Sequence, residues 1–117
     1  MINDNVPLIE LSKKFFNQKF DYREPESVVK GRSGHKWKFD GVIDYKDQKF
    51  GIIVRDWNRS IGVNQVRQLE KACRDTNCDG GILVGSIFSA NAEMFADNLG
   101  IQLLDRVKLM KKLRNSY

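Results

Sequence analysis

Asp40, Ile53 and Arg55 stand at a spacing that suggests a specific chemistry. The alternating run KWKFDGVIDY is followed by Lys46-Asp47 and then by FGIIVRDW, which returns from Lys49 to Val54 or Trp57. Two such runs around a two-residue turn predict a β-hairpin. A turn at Lys46-Asp47 sets Tyr45 opposite Gln48, Asp44 opposite Lys49 and Val42 opposite Gly51. Continued, it sets Asp40 opposite Ile53 and Lys38 opposite Arg55. Opposed side chains lie about 4.5–5.5 Å apart on one face. An Asp facing a second carboxylate there can hold Mg²⁺ through oxygen ligands. The metal activates water and neutralises a scissile phosphate, and a lysine two residues along the second strand can orient that water. Here the Asp is present, isoleucine stands where the second acid is needed, and arginine stands where the lysine is needed. Isoleucine cannot bind a metal. Arginine keeps a positive charge, but as a planar fork that is rarely neutral.

The elements that must position these residues follow from period and punctuation. A first helix is expected from Pro7 to Gln18, with Leu8, Leu11, Phe15 and Phe16 as its buried stripe. Phe20 to Tyr22 and Val28 to Lys30 read as extended, interrupted by Glu24-Pro25-Glu26, and Gly31 to Gly34 as a turn. In the long alternating run, Trp37, Phe39, Gly41 and Ile43 fall on one face and Lys36, Lys38, Asp40, Val42 and Asp44 on the other. NQVRQLEKACRD predicts a helix with Val66, Leu69 and Cys73 inward. GGILVG predicts a central strand buried on both faces. Ser89 caps a helix that Gly100 ends, IQLLD is a last strand, and the basic tail is helical. Helix, three meandering strands, helix, strand, helix, strand, helix predicts an α/β fold: a mixed central sheet of about five strands flanked by helices on both faces.

With those elements in place, the chain resembles the restriction endonuclease-like PD-(D/E)xK nuclease superfamily, nearest its Mrr-type branch, from about Leu8 to Leu109. GRSGHKWKFDGVI resembles the turn and strand that deliver the first metal-binding Asp. FGIIVRDWNRSIGVNQVRQLEKA resembles the strand with its acid-x-Lys, the loop and the following helix, and GGILVGSIFSANAEMFADNLGIQLLD the later strand, helix and strand. The resemblance implies that Asp40 is the metal ligand. Ile53 and Arg55 then hold the places of the second acid and the lysine, and Gln65 starts the helix beside the site. Glu10 falls where some members supply a further carboxylate. Asp44 shares the face of Asp40 but lies about 13 Å along the strand, too far for one ion. Asp56 points to the opposite face in this register. Glu10 is the best substitute because its helix is not tied to the hairpin.

Length and charge agree with a binding role. At 117 residues the chain fits one domain, residues 1–117, and can bury a core without staples. Its 20 Lys and Arg against 15 Asp and Glu give a net charge of +5, which favours an anionic partner, nucleic acid first. Arg32, Lys36, Lys38, Arg59 and Arg67 are the candidate DNA contacts. Trp57 offers a stacking surface or strand-end packing, and His35 beside the glycine turn a surface position or a phosphate contact. Apolar runs are too short for a membrane span, and the start does not read as a secretory signal, so the expected location is the cytoplasm. Cys73 and Cys78 match no metal spacing and read as free thiols. No Ser-His-Asp or Cys-His pairing is visible, and Gly31 to Gly34 precedes a strand, unlike a nucleotide-binding loop.

The expected function is therefore DNA binding by a nuclease fold with weak or lost cutting, needing no cofactor. One alternative is an active Mg²⁺-dependent endonuclease using Asp40 with Glu10. Another is a non-enzymatic module that binds protein through its edge strands. A homodimer clamping a duplex is compatible with a fold of this size.

Overall fold

Lys46 and Asp47 both take left-handed backbone angles, with φ of 50° and 64°. This is the geometry whose twist matches the strands of a two-residue hairpin. It sets the register of β4 (Gly41–Tyr45) against β5 (Gln48–Arg55): Tyr45 pairs with Gln48, Asp44 with Lys49, Val42 with Gly51 and Gly41 with Ile52. The computed structural model describes residues 6–24 and 28–114, so Pro25 and Glu26 of the expected interruption, and the end of the basic tail, lie outside the described residues.

Beyond Gly41 the ladder does not continue as expected. The Asp40 N–H donates to the Ile52 carbonyl, one residue out of step with the pairs before it. The Asp40 carboxylate then accepts from the Val54 N–H at 2.7 Å, so a side chain satisfies a backbone donor of β5. Phe39 is buried in the same cluster as Val42 and Ile53, whereas Ile43 lies in the cluster on the other side of the sheet. The expected alternation that put Phe39 and Ile43 on one face is thus broken at Asp40. Gly51 makes room for the displaced ring, since a Cβ there would meet Phe39 at 2.6 Å. The long run is two strands: β3 (Lys36–Trp37) leaves the main sheet and pairs with β2 (Val29–Lys30) in a separate two-stranded ribbon. Lys38 therefore does not face Arg55.

The main sheet also contains β1 (Asp21–Arg23), β6 (Gly80–Gly85) and β7 (Ile101–Asp105), in the order β1-β4-β5-β6-β7. β1, β4 and β5 are antiparallel neighbours, while β5, β6 and β7 run parallel, so the five-stranded sheet is mixed. Helices α1 (Leu8–Lys19) and α4 (Arg106–Arg114) cover one face. There Leu8, Leu11, Phe15, Phe16, Leu109 and Leu113 pack on Ile43, Ile52, Ile82 and Val84. Helices α2 (Val63–Asp75) and α3 (Ala90–Leu99) cover the other, where Val66, Leu69, Ala72, Ala92 and Ala96 pack on Val42, Ile53 and Leu83. The Ser89 hydroxyl accepts from the Ala92 N–H at 3.1 Å, and Gly100 ends α3 with φ of 71°, as their positions predict. Among the described residues no helix is long and apolar enough to cross a membrane.

Candidate active site and nucleic-acid interface

The last residues of β5 point alternately to the two helical layers, and this decides what each can do. Ile53 faces α2 and α3 and is only 9% exposed, packed with Phe39, Val42, Leu69 and Leu83. Arg55, two residues on, turns to the same side but reaches the sheet's rim. Its Nε donates to Oε1 of Gln65 at 3.2 Å, and Nη1 donates to the Val54 carbonyl at 3.3 Å. Gln65 lies in the first turn of α2, so the expected meeting of strand end and helix start is present. Asp40 is beside them, half-buried, with one carboxylate oxygen on the Val54 N–H. The Tyr22 hydroxyl donates to the Asp40 carbonyl at 3.4 Å. Burial pushes that phenol up to about 12, with Glu24 and Asp40 adding to the shift, so it remains a donor at neutral pH.

Asp56 points the other way, as the register predicts. Its Oδ2 accepts from the Leu8 N–H at 3.3 Å and so supplies an acceptor at the N-terminus of α1, whose N-cap Pro7 supplies none. This contact brings the first turn of α1 to the end of β5 where Arg55 lies. Glu10 is in that turn and is exposed. Asp44 is occupied in an exposed ion pair with Arg23.

The candidate DNA contacts divide by surroundings. Lys36 and Lys38 are exposed around the strand break. The Arg59 guanidinium lies over the Trp57 ring at 4.5 Å, and that of Arg55 approaches the same ring at 6.0 Å. Arg67 stacks on Phe95 of α3 at 4.8 Å, which ties it to a neighbouring helix. Arg32 sits at the C-terminus of α2, where its Nη2 donates to the Arg74 carbonyl at 3.1 Å and its backbone N–H to the Asp75 carbonyl. A cation there also complements the negative end of the helix. His35 is exposed and packs its ring on Trp37 at 4.1 Å between centroids.

Asp75 is an organising residue that sequence reading passed over. Its carboxylate accepts from Trp37 Nε1 at 2.8 Å, from the Ser33 N–H at 2.9 Å and from the Ser33 hydroxyl at 2.7 Å. These donors, Trp37 first and Ser33 next, hold its pKa down at about 2. Gly31 permits the approach, because a Cβ there would overlap the Asp75 carboxylate at 1.9 Å. One carboxylate thus fastens the turn before Lys36 and Lys38 to the end of α2.

A family model for the Mrr-type restriction endonuclease catalytic domain matches residues 10–113. The chain belongs to the Mrr-type restriction endonuclease family. Two solved structures show the same fold. The protein of unknown function AF1548 superposes with a TM-score of 0.77 at 14% identity, over 91% of this chain and 64% of its own. The DNA modification-dependent restriction endonuclease AspBHI gives 0.57 at 15% identity, over 93% of this chain and 34% of its own. The restriction endonuclease MspJI, solved with a 27-mer oligonucleotide, gives 0.49 at 19% identity, over 90% and 26%. The Mrr-type chain therefore spans under two thirds of each of these longer proteins. No curated protein matches it significantly.

Members of this family typically use a divalent metal. The residues at the Mrr-type strand end fit one poorly. Ile53 offers no ligand atom, Asp40 spends one oxygen on Val54, and among the described residues no three His, Cys, Asp or Glu gather as a metal site.

Proposed function

We propose that this Mrr-type domain, taken as one unit over residues 1–117, binds DNA through its phosphates and cuts it weakly or not at all. The observation that carries the reading is the end of β5. The place of the second acid is a buried apolar side chain, while the place of the lysine is a guanidinium held by Gln65. Such a fork has donors left over after Gln65 and Val54, and these suit a phosphate oxygen. Lys36, Lys38 and Arg59 extend the positive surface around Asp40, with Arg32 and Arg67 further along α2. Membership of a restriction endonuclease family, and the likeness to the DNA modification-dependent restriction endonuclease AspBHI, support DNA as the partner. A homodimer on a duplex, in the cytoplasm and without a resident cofactor, completes the proposal.

A second reading has its own support. The contact between Asp56 and Leu8 draws the first turn of α1, with Glu10, to the same end of the sheet. On that reading Asp40 and Glu10 would share Mg²⁺, and the protein would cut. Supercoiled plasmid incubated with Mg²⁺ or Mn²⁺ separates the two. The first reading expects retained binding with little or no nicking. Robust nicking that is lost in Glu10→Ala and in Asp40→Ala would overturn it in favour of the second.

A further inference from the structure

Beside Arg55, a cleft of about 450 Å³ opens between the loop after β5 and the starts of α2 and α3. Its lining includes Trp57, Arg59, Asn64, Gln65, Ser89 and Asn91. The volume falls within the range of about 300–1,000 Å³ typical of small-molecule sites. The chemistry of the lining is unusual for a surface that only meets phosphates. It combines a half-buried indole and a guanidinium stacked over it at 4.5 Å with side-chain amides able to donate and accept. A phosphate calls for donors alone. A planar, polar-edged ring calls for a stacking surface and for both donors and acceptors, and the cleft supplies all of these.

Gln65 joins this cleft to the strand end, since it lines the cleft and its Oε1 accepts from Arg55. We infer that the cleft holds one unpaired nucleotide of a DNA strand whose backbone passes Arg55. The base stacks against the Trp57–Arg59 pair, and Asn64 and Asn91 meet its polar edge. A duplex is too wide to enter, so the preferred DNA carries an unpaired nucleotide, as at a gap, flap or frayed end. This inference rests on the DNA-binding reading and adds a preference of structure to it.

The test uses three labelled oligonucleotide duplexes in fluorescence anisotropy: fully paired, with one unpaired nucleotide, and with an abasic residue at the unpaired position. The unpaired base should improve affinity about tenfold over the abasic form, as base–aromatic stacking provides. Trp57→Leu, which keeps apolar bulk, should abolish that gain, so that the variant binds the base-bearing and abasic forms equally. Trp57→Phe should retain most of it. Equal affinity of the parent for the base-bearing and abasic forms, or a gain that survives in Trp57→Leu, would overturn the inference and leave general DNA binding standing. Absence of binding to all three duplexes at low salt would overturn both. Thermal melts confirm that each variant is folded before its affinity is compared.

Discussion

Replacing Ile53 with glutamate tests whether this position is a lost acid or merely core. The side chain is 9% exposed among Phe39, Val42, Leu69 and Leu83, so the substitution removes about 1.5–3 kcal/mol of apolar burial. It also desolvates a carboxylate, which costs more, although Arg55 on the same face offsets part of that. A net destabilisation of about 3–5 kcal/mol is expected, against a total stability of about 5–15 kcal/mol for a typical domain. At roughly 4 °C per kcal/mol, the melting temperature should fall by about 12–20 °C. Ile53→Gln carries the same bulk without charge and separates the packing loss from the carboxylate. If the new acid stands beside Asp40 as a metal site would require, Mn²⁺ at about 100 times its dissociation constant should restore about 2.7 kcal/mol. The glutamine variant and the parent should gain little. Adding Arg55→Lys frees Gln65 and returns an ammonium to the strand end, so the double variant should show metal-dependent nicking above that of the parent. Thermal melts with and without Mn²⁺, run beside a plasmid-nicking assay, decide the matter. A folded double variant that neither gains stability from metal nor nicks DNA would show that position 53 is core and not the place of an acid.

Three further outcomes follow from particular contacts. Asp40→Ala leaves the Val54 N–H without its acceptor and should cost about 1–3 kcal/mol, whereas Asp40→Asn keeps a carbonyl oxygen for it and should melt close to the parent. Asp75 has its pKa depressed to about 2, so the stability it contributes is complete above the ordinary carboxylate value and fades as pH falls from about 4 towards 2. An acid titration followed by tryptophan fluorescence should show a step in that window that is missing in Asp75→Asn. The Cys73 thiol donates to Cys78, which lowers the Cys78 pKa and raises that of Cys73, so iodoacetamide at neutral pH should label Cys78 well before Cys73 in peptide mass spectrometry.

The sequence was most informative where local rules act. The Lys46-Asp47 turn requires two left-handed residues and a fixed register, and the pairs from Tyr45–Gln48 to Gly41–Ile52 are those the turn dictates. Ser89 and Gly100 bound α3 because cap chemistry is local. The mixed sheet with helices on both faces agrees with the order of elements. Residue period does not register a side chain that replaces a backbone partner. Nothing in the period of KWKFDGVIDY distinguishes an Asp40 that points from a face from one that caps Val54, and the slip beyond Gly41 depends on that difference. The Asp75 clamp was hidden for another reason. Trp37 and Ser33 lie 38 and 42 residues away along the chain, and no local pattern joins a helix-end carboxylate to a distant turn. For the site itself, the approach of Arg55 to Gln65 agrees with the expected strand end and helix start. The pairing of Arg59 with Trp57, and of Arg67 with Phe95, required the packing of the loop and of α3.

The proposed grip of the basic surface around Asp40 and Arg55 on DNA phosphates is read from the affinity for a plain duplex as a function of salt, measured on the parent and on Arg55→Gln/Arg59→Gln. Log affinity should fall linearly with log salt, by about 0.9 in slope for each phosphate neutralised. In the double variant the slope should be shallower by about one for each cation removed. Binding that is absent at the lowest salt, or a slope unchanged by loss of both arginines, would contradict it.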